Sequence, residues 1–219
     1  MTQRTAVFQH FSFPCLGHLG TFLDESGQPY ETRVYSDINA SNWGDFDTVD
    51  RLILLGSPAS VNDDDDWINW MRKLVEEHLM KGKPTFGICF GSQLIASVLG
   101  AEIARLDKPR IGIRPLHFPN DPLSSGDWFC FHEDHILPFE EIGAAHVEGE
   151  TVYQFEYGKT IGVQFHPEFD ETTVRTIANA IGEENPYYSR LMEALEEIPA
   201  SGRDRAFSLF SRVFDHMAK

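Results

Sequence analysis

Cysteine is scarce in this chain: there are three in 219 residues, Cys15, Cys89 and Cys130. An odd, sparse set builds no disulfide framework, and the spacing fits no zinc pattern. Basic residues are also few, 18 against 34 acidic ones, which leaves a formal net charge of −16. A surface of that sign repels phosphate backbones and anionic lipid, so neither nucleic acid nor a membrane is expected as a partner. No apolar stretch approaches the ~18 residues that a bilayer span needs. The first residues lead into a short strand-like run without the apolar core of a secretion signal. Together these absences predict a protein of the reducing cytoplasm. Low-complexity segments and internal repeats are missing too, which excludes disordered and solenoid architectures.

What the sequence does contain is alternation. Segments 6–9, 32–35, 51–55 and 84–88 read as strands. The run at 51–55 is nearly continuous in apolar residues, which suits a parallel strand buried on both faces. Segment 19–26 reads as a helix stopped by Gly27. Trp67, Ile68, Met71, Leu74, Val75 and His78 keep helical spacing up to a stop at Gly82 and Pro84. Segment 92–99 reads as a helix closed by Gly100. Strands interleaved with helices predict an α/β fold, a doubly wound and mainly parallel sheet flanked by helices. Short strands at 111–118, 128–131, 146–147, 152–155 and 160–165 predict a small antiparallel β extension plus a last core strand. Helices are expected at 171–181, 187–198 and 203–217. Residues 1–219 read as one domain, with 183–219 as a helical C-terminal extension.

Chemistry concentrates at strand ends. Gly87-Ile88-Cys89-Phe90-Gly91 lies between a strand and a helix, with the logic of a nucleophile elbow. The flanking glycines remove Cβ atoms that would clash in so sharp a turn. The helix that follows sets its positive end near the sulfur, and the N–H of Phe90 faces the place where an oxyanion would form. A buried structural cysteine explains the motif equally well unless a base is at hand. His166-Pro167-Glu168 supplies one. In extended chain, residues i and i+2 point the same way, so Glu168 can orient His166 while the other ring nitrogen faces a thiol. Both strand ends can meet above the carboxyl edge of one parallel sheet. The turn Gly56-Ser57-Pro58-Ala59-Ser60 can offer further backbone N–H groups, or be a plain tight turn. Gln93, on the first turn of the elbow helix, either reaches a polar substrate group or is merely solvated. His132-Glu133-Asp134-His135 is not the metal motif H-E-x-x-H. Asn62-Asp63-Asp64-Asp65-Asp66 reads as a helix cap and acidic first turn rather than a calcium loop. No metal and no cofactor are expected. Cys15 and Cys130 have no elbow context and are expected to be inert.

At these residues the chain resembles the class I, or triad, glutamine amidotransferases. The likeness rests on Leu54–Ser60, Phe86–Leu94, Phe131–Asp134 and Gly162–Glu168, and it covers about residues 5–181. Within that family it looks most like stand-alone proteins similar to the amidotransferase domain of GMP synthase. The resemblance implies a flavodoxin-like fold and hydrolysis of a γ-glutamyl amide through a Cys89 thioester. It implies His166 as the base and Glu168 as its orienter. The backbone of Gly56, Ser57 and Phe90 would hold the oxyanion, and Gln93, His132 and Asp134 would lie at the substrate. It also implies glutamine or a γ-glutamyl compound as substrate, with a separate synthetase chain as acceptor-side partner. A self-contained γ-glutamyl hydrolase and a non-catalytic binding protein remain alternatives. One departure stands out. The family's turn carries two glycines before the proline, and here the second is Ser57, where a peptide flip would force a costly positive φ.

Overall fold

Strands with apolar residues on both sides belong in the middle of a sheet covered on both faces. The computed structural model describes residues 3–39, 41–42, 46–140 and 145–219. Its chain runs through β1 (Thr5–Gln9), α1 (Gly17–Glu25), β2 (Tyr30–Val34), β3 (Arg51–Leu54), α2 (Asp66–Met80), β4 (Thr85–Ile88) and α3 (Phe90–Val98). Then follow β5 (Ile103–Leu116), β6 (Gly126–Ile136), β7 (Ala145–Glu148), β8 (Thr151–Tyr157) and β9 (Thr160–Val163). The last elements are α4 (Glu171–Ile181), α5 (Tyr188–Ala194) and α6 (Gly202–Met217).

Seven strands pair in the order β2-β1-β3-β4-β9-β8-β7. The first five are mutually parallel, and β8 and β7 continue the sheet antiparallel. This is the doubly wound, flavodoxin-like order, with its switch point between β1 and β3. Side chains alternate across the sheet as a strand requires. Val7, Ile53 and Phe86 face α1 and α6, whereas Ala6, Phe8, Leu52 and Leu54 face α2 and α3. The segment read as a C-terminal extension therefore packs into the main core: Phe210 of α6 lies 5.5 Å from Phe22 and 6.4 Å from Phe86, between ring centroids.

Several boundaries differ from the sequence reading. Strands β7 and β8 join the main sheet, so the antiparallel extension is the two-stranded ribbon β5–β6 alone. That ribbon is longer than expected, because Arg105, Asp107 and Lys108 break the apolar pattern while lying at a solvent-facing bulge. The predicted helix 187–198 divides into α5 and a 3₁₀ turn at Leu195–Glu197. Finally, α3 starts at Phe90, directly after Cys89, and not at Ser92.

Candidate active site

The carboxyl ends of β1, β3, β4 and β9 converge at the switch point, where ligands of such sheets bind. Cys89 joins β4 to α3 with φ 52° and ψ −109°. It is the only non-glycine residue with positive φ among the described residues. Such a conformation costs on the order of 1–3 kcal/mol and persists only where its surroundings over-determine it. The glycines on either side explain how. A Cβ on Gly91 would lie 2.2 Å from the Leu54 carbonyl oxygen, and one on Gly87 would lie 2.7 Å from the Gly91 backbone. Strand β3 and the elbow thus meet backbone to backbone. The Cys89 N–H donates to the Val163 carbonyl at 2.8 Å, which ties the elbow to β9. Gln164 Nε2 approaches the sulfur at 3.7 Å.

Strand β9 stops at Val163, and the chain then crosses toward the ribbon. The His166 N–H donates to the Phe129 carbonyl on β6 at 2.7 Å. Its Nδ1 donates to Glu168 Oε1 at 2.7 Å, with the two side chains 4% and 2% exposed. The Glu168 carbonyl in turn accepts from the His18 N–H at 2.9 Å, where α1 begins. Burial alone would lower the His166 pKa, but the charges of Glu168 and Cys89 outweigh it and push it up to about 10. Among the described residues Nε2 has no hydrogen-bond partner of ordinary geometry. Cys89 stands near enough to raise the ring's proton affinity, and its Sγ donates to the Phe131 carbonyl at 3.6 Å. Gly56 fits between them: a Cβ there would lie 2.8 Å from His166 Cε1 and 3.7 Å from Cys89 Cβ.

Side-chain hydrogen bonds fix the neighbouring turn. Tyr35 Oη donates to the Leu55 carbonyl at 2.6 Å. Ser57 Oγ lies 2.9 Å from His10 Nδ1 and accepts from the Ala59 N–H at 3.1 Å. Ser60 Oγ donates to Asp134 Oδ2 at 2.5 Å. Ser57 does not have positive φ in this arrangement; the cost foreseen there attaches only to a flipped peptide. The Ser57 hydroxyl braces the turn.

These groups open into a cavity of about 370 Å³. Cys89, His166, Glu168, Gly56, Ser57, Gln93, His132 and Asp134 all line it. Phe90 does not: its ring packs between Tyr35 and Trp67 at 5.4 and 5.5 Å, so only its backbone can serve the site. Gln93 Nε2 donates to the Asp134 carbonyl at 2.9 Å and to Gln164 Oε1 at 3.3 Å, so it braces α3 against β6. His132 Nδ1 donates to the Asp134 carbonyl at 2.9 Å. Burial, with help from Arg110 and His166, pushes His132 down to about 3, so the ring is neutral. His132 and His135, three apart on β6, point to opposite faces of that strand.

Some of the site escaped the sequence reading. Arg105 pairs with Glu133 and, at 3.5 Å, with Asp134 at the cavity's edge. Cys15 also lines the cavity. Burial and the Glu168 charge push its thiol up to about 12, which fits the expected inertness. Burial does the same to Cys130. His10, just past β1, stands behind Ser57. For His10 and Cys15 the one available signal was position, since both follow β1 at the switch point; Arg105 lies within β5 of the ribbon, where nothing local marked it.

The family model "Glutamine amidotransferase class-I" matches residues 24–125, a stretch that includes the Gly56 turn and the elbow. The glutamine-hydrolysing GMP synthase subunit of Sulfurisphaera tokodaii is 31% identical over 133 residues, which are 56% of this chain and 69% of that protein. γ-Glutamyl peptidase 5 of Arabidopsis thaliana is 24% identical over 184 residues, 75% of this chain and 73% of that protein. The crystal structure of a glutamine amidotransferase from Thermotoga maritima shares the fold with a TM-score of 0.78 at 21% identity, covering 97% of this chain and 98% of that one. A fold shared from end to end, and a sequence match that contains the strained cysteine, lead to one assignment: the chain belongs to the class I glutamine amidotransferase family.

Proposed function

We propose that the chain hydrolyses the γ-amide of glutamine through a thioester on Cys89. The observation that carries this reading is the strained Cys89 next to a buried His166 whose Nδ1 is held by Glu168 at 2.7 Å. His166, whose raised proton affinity favours the imidazolium, already holds the thiol proton when the sulfur attacks the γ-carbonyl. The backbone N–H groups of Ser57 and Phe90 receive the oxyanion. His166 then passes the proton to the leaving nitrogen, and ammonia departs. A water activated by the same imidazole cleaves the thioester and releases glutamate. The raised proton affinity of His166 suits the first step, and the Glu168 contact keeps the imidazolium in place during it. At the cavity's edge Arg105 and the carboxylates of Glu133 and Asp134 match the charges of an α-amino acid head.

The ammonia acceptor belongs to a separate synthetase chain in this reading, supported by the relative from Sulfurisphaera tokodaii, which is one subunit of a GMP synthase. Sparse, unpaired cysteines support a cytoplasmic setting, and among the described residues no helix is long and apolar enough to cross a membrane. A second reading, hydrolysis of γ-glutamyl peptides without a partner, is supported by the likeness to a γ-glutamyl peptidase. Steady-state turnover of glutamine and of a γ-glutamyl dipeptide decides between them. Rapid use of the dipeptide with poor use of glutamine favours the peptidase. In either case a glutamine-like electrophile should label Cys89 ahead of Cys15 and Cys130, and Cys89→Ala should lower turnover by at least ~10⁴-fold. Equal labelling of the three thiols, read by mass spectrometry, would remove the basis for both.

A further inference from the structure

The cavity's walls divide by polarity. Arg105, Glu133 and Asp134 hold one side through ion pairs. The other side is built mainly from Phe11, Phe131, Phe169, Ile177, Ile181 and Tyr187, with Asn185 as its polar member, its Oδ1 accepting from the Tyr187 N–H at 3.0 Å. All of the apolar members except Tyr187 belong to one cluster, and Tyr187 reaches it through Phe131, with ring centroids 6.0 Å apart. His166 is attached to the apolar side: its ring stacks on Phe169 at 4.1 Å and 22°.

Hydrolysis of free glutamine makes no use of that wall. A general acid must stand within reach of the nitrogen it protonates, so whatever that nitrogen carries leaves along the His166 side. From glutamine only ammonia leaves there. A cavity of about 370 Å³ falls in the range that encloses drug-sized ligands. Glutamine anchored by its charged head near Arg105, with its γ-carbon at Cys89, leaves the apolar side uncovered. Resting on the γ-glutamyl amide reading above, we infer that this wall is a leaving-group subsite for an apolar amine, so that the preferred substrate is a γ-glutamyl amide whose nitrogen bears an alkyl or aryl group. The chemistry balances without a further reagent. The Cys89 sulfur bonds to the γ-carbon, the C–N bond breaks, and the amine departs with the thiol proton delivered by His166. Water then converts the thioester to glutamate and restores the thiol.

The test compares γ-glutamyl-n-hexylamide with γ-glutamyl-ethylamide, whose leaving amines have nearly the same basicity, so the difference reports on the wall and not on bond strength. Wild-type protein should prefer the hexylamide by about tenfold or more in kcat/KM, given the size of methylene discrimination in apolar pockets. Ile181→Asp should bring the two rates together. Should that variant fail to fold, the wild-type ratio decides alone. Equal wild-type rates overturn the subsite and leave the γ-glutamyl reading intact. If neither amide nor glutamine is turned over, Cys89→Ala protein is titrated with both amides by calorimetry. A hexylamide Kd at least tenfold tighter supports the subsite, equal affinities overturn it, and binding of neither overturns the γ-glutamyl reading as well.

Discussion

The turn at Cys89 and the turn at Ser57 lie side by side at the edge of one sheet, yet they keep their shapes by different means. The elbow is held by sterics. Cys89 has positive φ, and Gly87 and Gly91 pack so closely against backbone that no side chain fits at either position. The Gly56–Ser60 turn has ordinary φ at Ser57, and it is held by side chains that come from elsewhere in the chain: Tyr35, His10 and Asp134. Steric control writes itself into neighbouring residues as a motif. Control by remote hydrogen bonds leaves only a few small residues at the turn itself, which explains why the elbow was specific in the sequence and the turn was not.

Three substitutions can break or sharpen this contrast. The largest effect is expected from Gly91→Ala. Alanine favours a helix by roughly 1 kcal/mol over glycine, but here its Cβ meets the Leu54 carbonyl at 2.2 Å, and a strand backbone cannot yield as a side-chain tip can. We expect a net loss of at least ~1–3 kcal/mol, read as a lower Tm, together with near-complete loss of turnover. A variant as stable as wild type would show that the elbow is not sterically locked.

Next comes Glu168→Gln, which keeps shape and removes charge. Turnover should fall by about 10²–10⁴-fold, the range for losing a well-oriented general base. Stability carries a second signature. The His166 pKa is raised from 6.5 to about 10 in the folded protein. A raised pKa contributes stability that is fully present below about pH 6.5 and is lost as pH climbs through about 10. In the variant burial acts without the carboxylate and favours the neutral ring. The Tm gap between wild type and variant should therefore be widest below pH 6.5 and shrink toward pH 10. A gap independent of pH would mean that Glu168 does not set the protonation of His166.

The smallest effect belongs to Ser57→Gly. Removing the hydroxyl frees the turn from His10, a loss on the order of 1 kcal/mol for one hydrogen bond. We expect kcat to fall about fivefold by steady-state assay, with KM nearly unchanged, since in the proposed mechanism the bond aligns the oxyanion donors and does not touch bound substrate. Activity equal to wild type would show that the turn, like the elbow, keeps its shape without help from side chains.

Much of this molecule was legible because its physics is local. The nearly continuous apolar run at 51–55 suits an inner strand, and strands interleaved with helices leave few topologies open. Gly87-x-Cys89-x-Gly91 and His166-Pro167-Glu168 each state a geometry within a few residues: a turn too tight for side chains, and a carboxylate two residues from an imidazole on the same face. The sequence by itself therefore determined the fold class, the tight strand-to-helix turn at Cys89 and the His166–Glu168 pair. The assignment of β7 and β8 to the main sheet, the full length of β5, the brace on Ser57, the place of Cys15, and the division of the cavity into a charged and an apolar side were decided only by tertiary structure. Strand partners, hydrogen bonds between residues as far apart as His10 and Ser57, and walls shared by β6, α4 and the loop after it depend on which surfaces meet once the sheet has closed, and no local periodicity encodes that meeting.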